Sequence, residues 1–335
     1  MVAGNLQYLG LEHYLRLVNA APPEWLAGLA HFTGGPDLTL CTRPQGFSGT
    51  LSWLTSPAVG VAVIGTGAQA TLYGTNTADP ATIIVLSGRV SLNCGNVQID
   101  AGAGDGFFLP PHASATLSGS QDLKLVLARL SQCGNGPCSD EASVLSPDLV
   151  SHILCYLRRA HFFRSHQHAL AETDRLGEVL RQYLCQVPVV SPLHLSPMPA
   201  VDRRVIRMVE LIASDAERDF NADRISALAG VSTRNLYYLM RKHTGMSPYQ
   251  FFVSRRLVRV RRALLDCQCD APTVSWHALS EGFSHLGRFS ALYRRHFGEY
   301  PRQTLEWRNQ ARARAADIQP AGCSESPLML CLEAG

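Results

Sequence analysis

The chain has 335 residues, 46% hydrophobic and 17% charged, which suits two or three packed domains and argues against a disordered chain. No run approaches the ~18 consecutive apolar residues of a membrane-spanning helix, and Met1 to Gly10 puts no basic residue ahead of an apolar run, so the expectation is a cytoplasmic protein with neither a membrane span nor a secretory leader. The net charge of +3 hides an asymmetry, with −3 over residues 1–200, +9 over 201–316 and −3 over 317–335, as in a polyanion-binding unit joined to a sensor or scaffold.

Residues 6–31 carry short helical patterns, with Leu11, Tyr14, Leu15 and Val18 followed by Trp25, Leu26 and Leu29. From about 36 to 130 the character changes. Apolar runs at 59–64, 82–86 and 123–127 alternate with glycine-rich turns at 87–88, 94–96 and 101–106, which predicts a small barrel or sandwich with room for a ligand. A turn-rich boundary at 132–140 leads to one or two helices over 147–186, which either cap the barrel or pair two subunits. His161, His166 and His168 cluster beside Arg158, Arg159 and Arg164; without a carboxylate or thiol at ligand spacing they read as a solvated helix end. The ten cysteines form no C-x-x-C pair and read as reduced thiols, not a metal site. Prolines at 188, 192, 197 and 199 mark residues 187–200 as a linker.

The basic block then reads as almost wholly helical. A helix over about 201–214 precedes a short one at 222–229 capped by Asn221, a Gly230-Val231-Ser232 turn, and a helix at 233–243 with Leu236, Leu239 and Met240 as its buried stripe. Short helix, glycine-led turn and second helix make a helix-turn-helix. Ser247 and Pro248 open a long helix to about Asp266, studded with Arg255, Arg256, Arg259, Arg261 and Arg262. The pattern then recurs, with Thr273 capping 274–281, a turn at 282–284 and a helix at 285–297; Gly282 falls 52 residues after Gly230. Two such units joined by one helix form an internal duplication.

This arrangement resembles the DNA-binding domain of the AraC/XylS family of bacterial transcription regulators. The likeness rests on residues 225–232 (ISALAGVS), 243–249 (HTGMSPY), 256–265, 282–290 (GFSHLGRFS) and 297–301 (FGEYP), and covers about 201–308. The segment 36–130 is similar to the cupin-type arm of that family through 87–90 (SGRV), 102–105 (GAGD) and 109–111 (LPP). The resemblance implies an α+β, two-domain protein. A cupin-like β-barrel with flanking helices (1–186) would bind an effector and dimerise. The Pro-rich linker (187–200) would lead to an all-α DNA-binding domain (201–308) and a disordered tail (309–335).

By the same resemblance, Thr233, Arg234, Tyr237 and Tyr238 in the first unit and His285, Gly287, Arg288 and Ala291 in the second would read bases. Ser232, Arg241, Ser284, Arg294 and Arg295 would meet phosphate. Arg234 and Arg288 are the candidates for guanine, and Tyr237 and Tyr238, being adjacent, cannot both be core. Trp53, Tyr73 and Phe107 are candidates to line an effector pocket. The implied partners are a double-stranded operator, a small-molecule effector, RNA polymerase if the protein activates, and a second copy of the chain; the linking helix would hold the recognition helices about 34 Å apart, one DNA turn.

Other classes have less support. Cupin metalloenzymes need several His and Glu ligands, whereas His112 is the single histidine between 40 and 130 and no Glu lies there. The expectation is no catalytic residue, no metal and no cofactor. A regulator answering to a protein partner stays open as the alternative. Two departures from the family pattern stand out: His277, at a core-facing position that prefers Ile or Val, and Trp276, at a position that is usually polar.

Overall fold

The computed structural model describes residues 10–35, 37–43, 45–131, 139–185, 202–213, 219–266 and 273–316. The N-terminal domain is two antiparallel sheets. Strands β1 (Leu15–Ala20), β3 (Gly49–Thr55), β4 (Val59–Thr66), β6 (Ala81–Ser87), β9 (Gly106–Leu109), β11 (Leu123–Leu130) and β12 (Ser143–Val144) form the larger, in the order β1-β3-β4-β11-β6-β9-β12. Strands β2 (Thr39–Thr42), β5 (Ala70–Thr75), β7 (Arg89–Cys94), β8 (Val97–Gly102) and β10 (Ser114–Gly119) form the smaller, in the order β2-β5-β10-β7-β8.

The three continuous apolar runs of the sequence are β4, β6 and β11, neighbours at the centre of the larger sheet. They are apolar throughout because both of their faces are covered. Ala62, Ile64, Ile83, Val85, Leu125 and Leu127 meet the smaller sheet. Val61, Val63, Ile84, Val126 and Ala128 lie beneath helices α2 (Pro147–Ala160) and α3 (His166–Leu184). Helices α2 and α3 thus cover the sheet. Among the described strands every ladder stays within one sheet or the other, so the domain is a cupin-like two-layer structure.

The helical pattern at the N-terminus is only half helix. Helix α1 (Pro22–Thr33) begins on two prolines and ends at Gly34 with φ +68°, but residues 15–20 form β1, paired with β3. Leu15 and Val18, whose spacing suggested a helix, instead pack on Leu265, and Leu17 turns into the sheet core.

The C-terminal domain holds α4 (Arg203–Ala213), α5 (Ala222–Ala229), α6 (Thr233–Thr244), α7 (Pro248–Asp266), α8 (Val274–Ser280), α9 (Leu286–Phe297) and α10 (Pro301–Ala316). Helix α7 serves two cores. Phe251 and Phe252 close the first with Val205, Leu236 and Met240, while Leu257, Val260 and Leu264 close the second with Phe289, Tyr293 and Phe297. Helix α10 runs beyond the expected domain end at 308, because Trp307 and the buried Ala311 pack against the N-terminal domain. The linker at 187–200 and residues 317–335 lie outside the described residues. No helix among those described is long and apolar enough to cross a membrane.

The histidine cluster is not a solvated helix end. His161 is buried beside His13, 6.4 Å between ring centroids, and His13 lies 4.9 Å from His296 of α9. His166 meets the Tyr14 hydroxyl at 3.1 Å. These rings join the two domains.

Candidate nucleic-acid interface

In the first unit the chain reverses at Gly230, φ +66°, and the Ser232 hydroxyl accepts from the Asn235 N–H at 3.3 Å to start α6. Leu236, Leu239 and Met240 face the core, which leaves Arg234, Tyr237, Tyr238 and Arg241 exposed on the opposite face. Both tyrosines point outward. Lys242 lies 5.8 Å from the centre of the Tyr238 ring. Thr233 is half-buried and donates to Asp223 Oδ1 at 2.9 Å, so its hydroxyl ties α6 to α5.

The second unit repeats the geometry. Thr273 caps α8 by accepting from the Trp276 N–H at 3.2 Å, and Gly282 turns at φ +76°. Helix α9 buries Phe289, Tyr293 and Phe297 and exposes Gly287, Arg288, Ala291, Arg294 and Arg295, with Ser284 and the N-cap His285 exposed ahead of it. Arg294 donates to the Tyr300 hydroxyl at 2.6 Å. The proposed contact residues of each unit therefore come together on one helix face, and apart from Thr233 each is exposed.

The arginines of α7 behave otherwise. Of the five that the sequence groups together, four are turned to structural use. Arg255 pairs with Glu12 at 2.8 Å and Arg259 with Glu281 at 2.7 Å. Arg256 stacks 4.7 Å from the Phe283 ring and packs against Gly282. Arg261 is fully buried and pairs with Glu299 at 2.8 Å, while its Nε donates to the Leu15 carbonyl at 2.9 Å. Glu299 also takes Arg16 at 2.8 Å. Burial would raise the Glu299 carboxyl, but Arg261 and Arg16 override it and hold the group down at about 2. Only Arg262 of the five is exposed. Sequence reasoning missed this network, although Arg261 sits on the stripe of Leu257, Val260 and Leu264, one turn from each end.

His277 is buried on α8, and its Nε2 has no hydrogen-bond partner among the described residues. Burial and the nearby Arg308 push its imidazole toward the neutral form. Trp276 is 63% exposed.

The N-terminal domain holds a partly open apolar cavity of about 120 Å³ between its sheets. Trp53, Tyr73 and Phe107 do not line it. On β5 the lining residues are Ala70, Leu72 and Gly74, with Thr75 at the strand's end, so strand alternation sends Tyr73 to the other face. Trp53 meets Trp307 of α10 at 5.1 Å, with the Arg16 guanidinium 5.4 Å from its ring, and Phe107 is fully buried in the sheet core. No group of three or more His, Cys, Asp or Glu among the described residues is placed to hold a metal ion.

Residues 225–307 match the sequence model of a helix-turn-helix domain. Over 99 residues the chain is 38% identical to the XylDLEGF operon transcriptional activator of Pseudomonas putida, a match covering 30% of this chain and 31% of that protein. It is 28% identical over 91 residues to the HTH-type transcriptional activator RhaS of Escherichia coli O157:H7, covering 27% of this chain and 32% of that one. A solved structure of a probable AraC family transcriptional regulator from Rhodopseudomonas palustris is 34% identical, with 31% of this chain and 96% of that chain covered and a TM-score of 0.30. The match thus spans about a third of the length of these two curated relatives. With two helix-turn-helix units at its C-terminal end and a cupin-like β-sheet domain ahead of them, the chain belongs to the AraC/XylS family of transcriptional regulators.

Proposed function

We propose that the protein is a sequence-specific, double-stranded DNA-binding transcription factor that inserts α6 and α9 into adjacent major grooves. The observation that carries this is the duplicated exposed face: both recognition helices bury an apolar stripe and present polar residues outward, on a frame locked by α7. Arg234 and Arg288 are the proposed guanine readers. Thr233, Tyr237, Tyr238, His285, Gly287 and Ala291 complete the base-reading set, and Ser232, Arg241, Ser284, Arg294 and Arg295 flank phosphate. Because Arg255, Arg256, Arg259 and Arg261 are committed inside the protein, phosphate affinity falls chiefly to the arginines of α6 and α9.

The N-terminal domain is proposed to sense a small-molecule effector and to mediate dimerisation, with RNA polymerase as a partner where the output is activation. An effector acts by binding one arrangement of the domains more tightly than another. Hydroxyl-radical footprinting of the full-length protein on a selected operator tests the DNA reading. Two protected patches on one face, about one helical turn (~10 bp) apart for each protein copy, are expected. A single patch would contradict it.

A further inference from the structure

The cavity between the sheets is lined by Leu72 and Leu117 of the smaller sheet, Ile64 and Leu125 of the larger, and Trp25 and Leu29 of α1. An apolar cavity of ~150 Å³ is known to take up benzene, so about 120 Å³ suits one ring or a short branched chain. The polar groups at its edge are largely committed. Arg129 donates to the Phe32 carbonyl at 2.8 Å, its charge is matched by Asp79 at 3.2 Å, and its Nε alone has no partner among the described residues. Asn76 donates to the carbonyls of Asp79, Leu109 and Pro110. Thr66 is a neutral group whose one side-chain polar atom is unused: it lines the cavity, is 7% exposed, and its hydroxyl finds no partner among the described residues. A charged ligand would lose its hydration here without gaining a free counter-ion. A neutral one would lose little and could satisfy Thr66.

Helix α1 faces two ways. Trp25, Leu29 and Thr33, four residues apart, line the cavity. Glu24 reaches Arg312 at 3.5 Å, and His31 meets Arg314 at 3.1 Å, both on α10. Helix α10 begins four residues after the end of α9.

We propose that this cavity is the site of a small, uncharged, mainly hydrocarbon ligand bearing one hydrogen-bonding group, and that α1 transmits its occupancy to α10 and the second helix-turn-helix unit. The proposal rests on the reading of the chain as an effector-responsive regulator.

The test is calorimetry on the full-length protein with toluene, benzyl alcohol and benzoate as probes, followed by amide exchange with toluene bound. Toluene and benzyl alcohol bind, and benzoate binds at least tenfold more weakly. Thr66→Val removes the advantage of benzyl alcohol over toluene, and Leu117→Trp, which fills the cavity, abolishes both. Should Leu117→Trp fail to fold, Thr66→Val still decides the matter. Amide exchange changes within residues 301–316. Benzoate binding as tightly as toluene, no binding of any probe, or unchanged exchange in 301–316 would overturn the proposal. DNA binding is measured separately without probes. Protein that binds DNA but no probe overturns this inference alone, whereas protein that binds probes but no DNA overturns the reading beneath it.

Discussion

Glu299 sits between two guanidiniums, Arg16 from β1 and Arg261 from α7, and also accepts from the Thr304 hydroxyl at 2.7 Å. Removing the carboxylate charge would strand two buried cations, which typically costs about 3–5 kcal/mol. Glu299→Gln is therefore expected to lower the urea midpoint sharply, and the double variant Glu299→Gln with Arg261→Met to recover part of the loss; an unchanged midpoint in the single variant would contradict this. The same depressed carboxyl gives stability that is fully present above its unfolded value near 4.5 and is lost as pH falls toward about 2. His277 is the reverse case, a buried imidazole whose Nε2 has no partner among the described residues. His277→Ile is expected to raise stability by about 1 kcal/mol, and a fall would show that the ring is satisfied. Legibility at this scale followed the helices. Arg234 and Arg288 could be placed outward from the stripe of Leu236 and Phe289, whereas Trp53, Tyr73 and Phe107 lie on strands, where one step of register reverses the face.

At the scale of the element, the two turns carry the repeat, and each needs a left-handed glycine. Gly282 has φ +76° and the Arg256 side chain fills the space of a Cβ, while Gly287, early in α9, has nothing within 4 Å. Gly282→Ala should thus destabilise the second unit by about 1 kcal/mol or more. Gly287→Ala should stabilise it slightly, by about 0.5–1 kcal/mol, so any loss of DNA binding there reports contact and not folding. Equal destabilisation of the two variants would contradict this assignment. The helices of both units were legible because caps, glycine turns and stripes agree at 221–244 and again at 273–298. Strand β1 was not, since residues 11–18 fit a helical spacing and become a strand only by pairing with β3. The length of α10 was hidden for a related reason: its apolar side is completed by the other domain, where Trp307 and Ala311 join the core that holds Trp53 and the buried face of α1.

Over the whole molecule, the two domains share a buried polar seam. His13, His161 and His296 meet there, flanked by the Glu12–Arg255 pair and by Arg261. Burial, reinforced by Arg255, pushes His161 down to about 4; burial with Arg261 and Arg255 takes His296 to about 3, and His13 is driven down by burial and His296. The folded protein holds these rings neutral while the unfolded chain protonates them below about 6.5. Stability should therefore be full above pH 6.5 and fall as pH drops toward 4, by roughly 1.4 kcal/mol per pH unit for each proton taken up. Urea midpoints at pH 7.5, 6 and 5 check this, and His296→Gln should flatten the dependence; a flat wild-type profile would contradict it. The same seam leaves the proposed recognition faces of α6 and α9 exposed.

Whether two recognition helices read two boxes is tested most directly by selecting genomic DNA bound by the full-length protein beside Arg234→Ala and Arg288→Ala. Two short boxes about one helical turn apart are predicted, each variant relaxing one position in a different box at a cost of about 1–3 kcal/mol. Enrichment of a single box, or the same position relaxed by both variants, would contradict the account.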